Sequence, residues 1–274
     1  MQDTRRTAIL SSETLSLLPE TQMAALRAAL APVPVQVVIY LRSRGPVIWS
    51  QWQEHIKHGD TRSFPDYVAD LMLHTPDANM LDPLGLAVRS LRMIGTVSLV
   101  DYDGCVAEGR DLLDPIMQMA AGGPVDLPEL NTLPVNRRMP QERVETLRML
   151  NLVSMRRTKR QPGKRVRMSF LAALRDRPDE VRAIEAEIAK MMRPHMRELR
   201  LDMLDQYCAN RDREHTATLE AAGVTVPPFG ARRSDDTTAQ PGFAYLPDSE
   251  VLFSSMPPLL RNLHDLVTAG AEAA

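Results

Sequence analysis

Apolar positions along the chain follow two different periods, and these periods predict both strands and helices. The run Val35–Leu41 is rich in β-branched residues and holds one polar residue, which is typical of a strand covered on both faces. Thr96–Tyr102 has the same character, and the shorter run Thr7–Leu10 predicts a third strand. We therefore expect an α/β protein with a mostly parallel sheet flanked by helices.

Helical repeats fill the segments between these runs. The clearest repeat predicts a helix that begins at Pro46 and ends near Lys57. Its apolar members, which we expect to face the core rather than to stack on a nucleotide base, are Ile48, Trp49, Trp52 and Ile56. Further helices are predicted between Pro19 and Pro32 and at Phe64–Leu73, Pro83–Met93, Pro140–Asn151 and Pro258–Val267.

The last part of the chain has a different pattern. Arg156–Arg167 carries seven basic residues and no acidic one, and we expect a solvated loop there. Two amphipathic helices follow, Val181–Met191 and Met196–Tyr207, with a break at Pro194. These features predict an α/β core over residues 1–155 and a helical extension over residues 156–274, with an irregular loop at about 223–248.

Composition narrows the function classes. A chain of 274 residues with 44% apolar content can bury a sizeable core, and its net charge of −2 does not favour nucleic acid or a membrane as a partner. Two cysteines are too few for a disulfide framework, and no leader or long apolar run is visible, so we expect a cytoplasmic protein. No metal is expected, because His55, His58 and Asp60 have no supporting ligand motif.

The junction after the best strand is the candidate site. Arg42 follows the apolar run directly, and the carboxyl end of such a strand is where α/β sheets bind ligands. A guanidinium matches two phosphate oxygens at once, and the start of the next helix favours anions. Ser50 adds a hydroxyl eight residues later, whereas Arg44 is expected to be exposed. A structural salt bridge is the alternative role for Arg42.

These residues also carry a family resemblance. The string VVIYLR, the serine at position 50 and the upstream SSETLSLLP resemble the bacterial sulfotransferase-like proteins of the sulfotransferase superfamily. The resemblance covers roughly Thr7–Asn151. It implies a P-loop-type three-layer core and the donor 3'-phosphoadenosine 5'-phosphosulfate, with Arg42 and Ser50 on its 3'-phosphate. The expected reaction is sulfuryl transfer to a hydroxyl, on a carbohydrate by analogy.

The resemblance also implies a catalytic base. An attacking hydroxyl must lose its proton to a nearby carboxylate or imidazole. Glu13 follows the predicted strand Thr7–Leu10, as the base of the superfamily follows an early strand. An acidic residue at a helix start, interacting with the helix dipole, is an equally good interpretation of Glu13.

One departure from the family is plain. Such enzymes hold the 5'-phosphosulfate with a glycine-rich loop after the first strand, and no Gly-x-x-x-x-Gly-Lys-Ser/Thr pattern occurs here. The only Gly-Lys pair, Gly163-Lys164, lies in the basic run far downstream. Three alternatives follow: a shortened enzyme that lacks the first strand, a relative that binds without transfer, or a different phosphosulfate site.

Two other functions stay open at this stage. The α/β part could be a non-enzymatic scaffold whose long helices bind a protein partner or a second copy of the chain. A glycosyltransferase is the further alternative, because strand-end arginines also bind the phosphates of nucleotide sugars. If the acceptor is an acidic glycan, Arg156–Arg167 is a suitable place to hold it.

Overall fold

The computed structural model describes residues 7–75, 77–125, 139–229, 242–247 and 257–269. Its strands are β1 (Val37–Leu41), β2 (Val97–Asp101), β3 (Arg197–Leu199) and β4 (Phe243–Tyr245). The first helices are α1 (Glu20–Leu30), α2 (Arg44–Lys57), α3 (Phe64–His74), α4 (Pro83–Ile94), α5 (Tyr102–Ala107) and α6 (Asp114–Ala121). The later helices are α7 (Gln141–Thr158), α8 (Arg165–Asp176), α9 (Pro178–Met192), α10 (Asp202–Ala221) and α11 (Pro257–Ala269).

The chain is a mixed α/β protein, as the apolar pattern predicts. β1 and β2 pair in parallel, with Leu41 opposite Asp101, and β3 pairs with β4 in antiparallel orientation. The predicted strands Val35–Leu41 and Thr96–Tyr102 are thus confirmed. Each sheet of the described residues has two strands, so the three-layer core remains a prediction.

The predicted strand at Thr7–Leu10 is wrong. All four residues are exposed and belong to no strand. A run of four residues can form a strand only if a neighbouring strand accepts its backbone hydrogen bonds, and none of the described strands pairs with it. A short 3-10 helix at Glu13–Leu17 follows instead.

The described contacts divide the chain into two compact units. The first comprises Met1–Val47, Thr75–Leu133 and Asp202–Ala239, and the second comprises Ile48–His74, Pro134–Leu201 and Gln240–Ala274. The segments of each unit come from both sides of residue 155, so the units divide the chain differently from the predicted domains. The domain boundary near residue 155 remains a prediction.

In the first unit, α4 packs against the parallel strand pair. Asp82 caps α4 by accepting a hydrogen bond from the Gly85 amide at 2.9 Å, and Gly95 ends the helix in a left-handed conformation at φ +98°. α10 packs on α4 as well. The core that these elements bury contains Leu41, Leu84, Ala87, Val88, Val97, Leu219 and Phe229.

The second unit is mainly helical. α7, α8, α9 and α11 pack together, and a fully buried pair lies inside, with Arg148 Nε donating to Glu145 Oε2 at 2.6 Å. Both side chains also bind the backbone of Leu246, which fixes the end of β4. In the described part of the chain, no helix is long and apolar enough to cross a membrane.

Two predicted boundaries in the last part of the chain are corrected. The basic run Arg156–Arg167 is a loop only between α7 and α8, and its two ends belong to those helices. The predicted helix Met196–Tyr207 begins only at Asp202, because β3 occupies Arg197–Leu199. Of the predicted irregular loop, Gly223–Phe229 lies in the described residues and has no regular structure, while β4 interrupts the loop farther on.

Candidate functional site

The candidate site lies at the carboxyl ends of β1 and β2. Because the strands are parallel and in register, the residues after Leu41 and after Asp101 lie at the same edge of the sheet. Arg42 and Ser43 form the whole connection between β1 and α2, while α5 begins directly after β2. This edge is where α/β sheets bind ligands.

Two acidic residues tie the strand ends to the neighbouring backbone. Asp103 Oδ2 accepts hydrogen bonds from the backbone amide and from Oγ of Ser43, both at 2.6 Å. Asp101 accepts from the amide of Gly104 at 2.9 Å, and a Cβ at position 104 would lie 2.3 Å from the Asp101 carboxylate. Both carboxylates therefore fix the backbone geometry of the edge.

Arg42 is half-buried and lies over an aromatic ring. Its guanidinium carbon is 5.0 Å from the ring centroid of Tyr102, which is a cation–π distance. Among the described residues, no carboxylate forms an ion pair with Arg42. The aromatic face contacts the plane of the guanidinium, whereas the hydrogen-bond donors lie along its edge.

Arg44, in contrast, is buried, so the expectation that it is exposed is wrong. It is only 2% exposed, and its Nη2 donates to Asp212 Oδ1 at 2.6 Å, while its Nη1 lies 3.0 Å from Asp205 Oδ1. Nε donates to the Leu81 carbonyl at 2.9 Å, and the guanidinium lies 4.7 Å from the Phe229 centroid. Arg44 therefore fastens the start of α2 to α10.

The acidic partners of Arg44 lie in a mostly buried cluster together with further acidic groups. Burial raises the pKa of Asp212; the Arg44 hydrogen bond opposes the rise, and the Asp205 and Asp82 charges add to it. Asp212 Oδ2 is buried, and no described residue donates a hydrogen bond to it. Burial also raises the pKa of Cys208, which lies on the same helix. Arg44 therefore supplies the positive charge that opposes the raised pKa of Asp212.

Asp82 extends the same cluster to the start of α4. Its Oδ1 lies 3.1 Å from His215 Nδ1, and Arg211 Nε lies 3.6 Å from its Oδ2. The sequence did not lead us to predict a role for the α10 residues of this cluster, which are Asp205, Arg211, Asp212 and His215. Asp205 and Asp212 are seven residues apart beside the buried Leu204 and Cys208, and this placement of acids on an apolar helix face was the available signal.

An open groove lies against β2 in the same unit. Its volume is about 620 Å³, and residues of β2, α5 and α6 contribute to its walls. Asp101 belongs both to this groove and to the strand edge that carries Arg42. The side chains that line it include Ser98, Val100, Cys105, Arg110, Gln118 and Met119.

The other predicted site residues have separate places. Ser50 is exposed on α2 and belongs to the second compact unit, whereas Arg42 belongs to the first. A shared anion crevice of these two residues is still a prediction. Glu13 begins the 3-10 helix Glu13–Leu17, and its side chain lies outside the described part of the structure.

The tryptophans of α2 belong to the core of the second unit, as predicted. Trp52 is fully buried, and its indole N–H donates to the Arg62 carbonyl at 3.0 Å. Trp49 packs at a ring centroid distance of 4.8 Å from Trp52, 4.7 Å from Phe64 and 5.4 Å from Phe243. These rings are therefore occupied by core packing.

No family model, curated protein or solved structure matches the chain.

Proposed function

We propose that the protein is sulfotransferase-like and binds 3'-phosphoadenosine 5'-phosphosulfate, with Arg42 and Ser50 on the 3'-phosphate. One observation carries the proposal. Arg42 stands at the carboxyl end of a parallel strand pair, oriented by Tyr102 and without an ion pair among the described residues, whereas Arg44 is neutralised by Asp205 and Asp212. The sheet edge therefore holds a positive group suited to a phosphate.

The chemistry of the residues fits a doubly charged phosphate. The guanidinium edge of Arg42 supplies paired donors, and α2 begins two residues later with its positive dipole end. The exposed hydroxyl of Ser50 is a further donor in the proposed site. The proposed three-layer P-loop-type core would extend the β1–β2 pair with further strands.

The proposed reaction is in-line transfer of the sulfuryl group. An acceptor hydroxyl, on a carbohydrate in this proposal, forms a bond to sulfur while the bond from sulfur to the 5'-phosphate oxygen breaks. The acceptor proton passes to the carboxylate of Glu13, and adenosine 3',5'-bisphosphate leaves. Charge on the leaving phosphate needs neutralisation, and the sequence holds no glycine-rich loop for it, so donor binding is the first part to test.

Calorimetric titration with adenosine 3',5'-bisphosphate tests the binding step. We expect Arg42→Ala to lose about 1.5–3 kcal/mol of binding free energy, which is the contribution of a charge-assisted hydrogen bond. Ser50→Ala removes a neutral donor and should lose about 0.5–1.5 kcal/mol. The matched control is Arg92→Ala, which removes an exposed arginine at the end of α4 and should leave the affinity unchanged.

Two results would reject this proposal. The first is that the natural chain does not bind the bisphosphate. The second is that Arg42→Ala and Arg92→Ala weaken binding equally, because the effect would then reflect overall charge and not a contact.

A further inference from the structure

The basic run between α7 and α8 is a concentrated positive surface in the second unit. Arg156–Arg167 holds seven basic residues without an acidic one, in a chain whose net charge is −2. Any attraction of anions therefore comes from this segment and not from the net charge of the chain. The exposed members, which we call the basic surface, are Arg156, Arg157, Lys159, Arg160, Lys164 and Arg165.

Internal ion pairs involve part of this surface. Arg157 pairs with Asp265 of α11. Among the described residues, no carboxylate forms an ion pair with Lys159, Arg160, Lys164 or Arg165. Lys164 and Arg165 also stand at the amino-terminal end of α8, where the helix dipole disfavours positive charge. Their placement therefore lowers the stability of the helix unless an anion binds there.

Exposed apolar side chains continue the surface along α8. Met168 is 60% exposed and Leu171 is 39% exposed, and they lie one turn and two turns beyond Lys164. The buried residues of the helix, Val166, Phe170 and Ala173, lie at other helical positions and pack into the unit. The outer face of α8 therefore combines cations at its start with apolar side chains at its middle.

We propose that this face binds an anionic lipid bilayer surface. The cations contact lipid phosphates and carboxylates, while Met168 and Leu171 enter the boundary between headgroups and acyl chains. A nucleic acid explains less, because Phe170 is the only aromatic residue of the segment and α8, and it is fully buried. An acidic glycan would contact the cations but leave the two exposed apolar side chains without a role. This surface is independent of the proposed donor site.

Vesicle flotation with the full chain tests the proposal. The probes are vesicles of phosphatidylcholine alone and vesicles that also contain phosphatidylserine. We expect binding only to the second kind, and weaker binding at high salt. Replacing Lys159, Arg160, Lys164 and Arg165 should weaken binding by roughly several hundredfold, because each cation near an anionic leaflet contributes roughly a fivefold factor. These changes are Lys159→Gln, Arg160→Gln, Lys164→Gln and Arg165→Gln.

Two further variants complete the experiment. Met168→Gln with Leu171→Gln should weaken binding about tenfold while the basic surface is intact, because their apolar insertion is lost. The matched control replaces four exposed cations elsewhere and should bind as the natural chain does. Its changes are Arg92→Gln, Arg182→Gln, Lys190→Gln and Arg213→Gln.

The outcomes that overturn the proposal are distinct. Equal binding to both kinds of vesicle, or no binding to either, rejects an anionic lipid partner. A loss in the control variant equal to that in the basic-surface variant shows a general charge effect. Capture by heparin or single-stranded DNA that needs the four cations but not Met168 and Leu171, without vesicle binding, assigns the surface to a polyanion.

Discussion

Arg42 and Arg44 are two residues apart but have different physical roles. Arg44 is buried and neutralised by Asp205 and Asp212, so it contributes to folding. Arg42 lies over Tyr102 at the strand edge, and no carboxylate of the described residues forms an ion pair with it. Position in the sequence does not distinguish them, because the acids that neutralise Arg44 lie about 160 residues later.

Removing Arg44 should therefore destabilise the protein strongly. Arg44→Ala leaves two carboxylates near an apolar core without their cation, and breaking a buried pair in this way costs about 3–5 kcal/mol. Denaturant unfolding at neutral pH measures the loss. Arg42→Ala is the control and should change the free energy of unfolding by less than about 1 kcal/mol. Equal losses for the two variants would contradict the assigned roles.

His264 on α11 gives the second unit a pH-dependent stability. Burial lowers the pKa of His264, and the Arg157 guanidinium lowers it further. Arg157 Nη1 lies 3.1 Å from Nδ1, so Nδ1 accepts and the proton resides on Nε2. Nε2 is buried, and no described residue forms a hydrogen bond with it. The neutral form is therefore the stable form in the folded chain.

The sign of the pH effect follows from this lowered pKa. Above the ordinary histidine pKa of about 6.5, both the folded and the unfolded chain hold neutral His264, and its stability contribution is complete. As the pH falls below this value, the unfolded chain binds a proton first and stability decreases. We expect His264→Gln to remove this part of the decrease in unfolding experiments from about pH 7 to 5.

The control for this pH effect is another histidine. His74 lies at the end of α3, and its side chain is 71% exposed. His74→Gln should leave the pH dependence of unfolding as it is in the natural chain. A decrease between neutral and acidic pH that persists in His264→Gln would contradict the role of the buried imidazole.

Among the helices and strands, the sequence predicts the elements whose apolar pattern is complete within their own residues. β1, β2 and α2 follow from continuous apolar runs, from helical spacing and from the proline near the helix start. Thr7–Leu10 fails as a strand because strand formation needs a partner that the run itself does not specify. In α10, Met203 and Tyr207 are exposed, although the pattern placed them with the apolar face.

The candidate site was predictable to a similar degree. The place of Arg42 at the end of β1 follows from its own neighbourhood in the sequence. The ring of Tyr102 beneath it, the bonds from Ser43 to Asp103 and the ion pairs of Arg44 depend on residues 60 or more positions away. Sequence spacing alone cannot predict such contacts, because they depend on which distant segments come together in the fold.

The turn after α2 illustrates how two elements meet closely. Gly59 has φ +99°, and a Cβ there would lie 2.5 Å from the backbone nitrogen of Gly163, in the loop before α8. Gly95 has φ +98°, but a Cβ there would meet no atom within 4 Å. The two glycines therefore differ in their surroundings and not in their φ values.

Alanine substitutions separate these two effects. Gly95→Ala should cost about 1 kcal/mol, because its φ value disfavours a side chain. Gly59→Ala should cost at least about 2 kcal/mol more, because the loop that holds Gly163 must move. Thermal or denaturant unfolding gives both values. Equal costs would contradict the close approach of the two backbone segments.

At the scale of the whole molecule, each compact unit is assembled from distant segments. The first unit includes Asp202–Ala239, whose helix α10 packs on α4 and supplies both acids of Arg44. A protein built in this way depends on contacts of large sequence separation. The sequence-based boundary near residue 155 would separate α10 from these partners.

Truncation tests this dependence. We expect a fragment of residues 1–155 to lack a cooperative unfolding transition, because Arg44 loses its acids and α4 loses α10. Circular dichroism during heating measures the transition, with the full chain as the reference. A fragment that unfolds cooperatively would support an independent domain that ends near residue 155.

In the proposed site Arg42 contacts the 3'-phosphate of the donor, and a comparison of two ligands isolates this contact. Calorimetry measures the affinities of the natural chain and of Arg42→Ala for adenosine 3',5'-bisphosphate and for adenosine 5'-monophosphate. We expect the natural chain to prefer the bisphosphate to the monophosphate by about ten- to a hundredfold. We expect Arg42→Ala to reduce this preference to within about threefold. An equal preference in both proteins, or none in the natural chain, would contradict the claim.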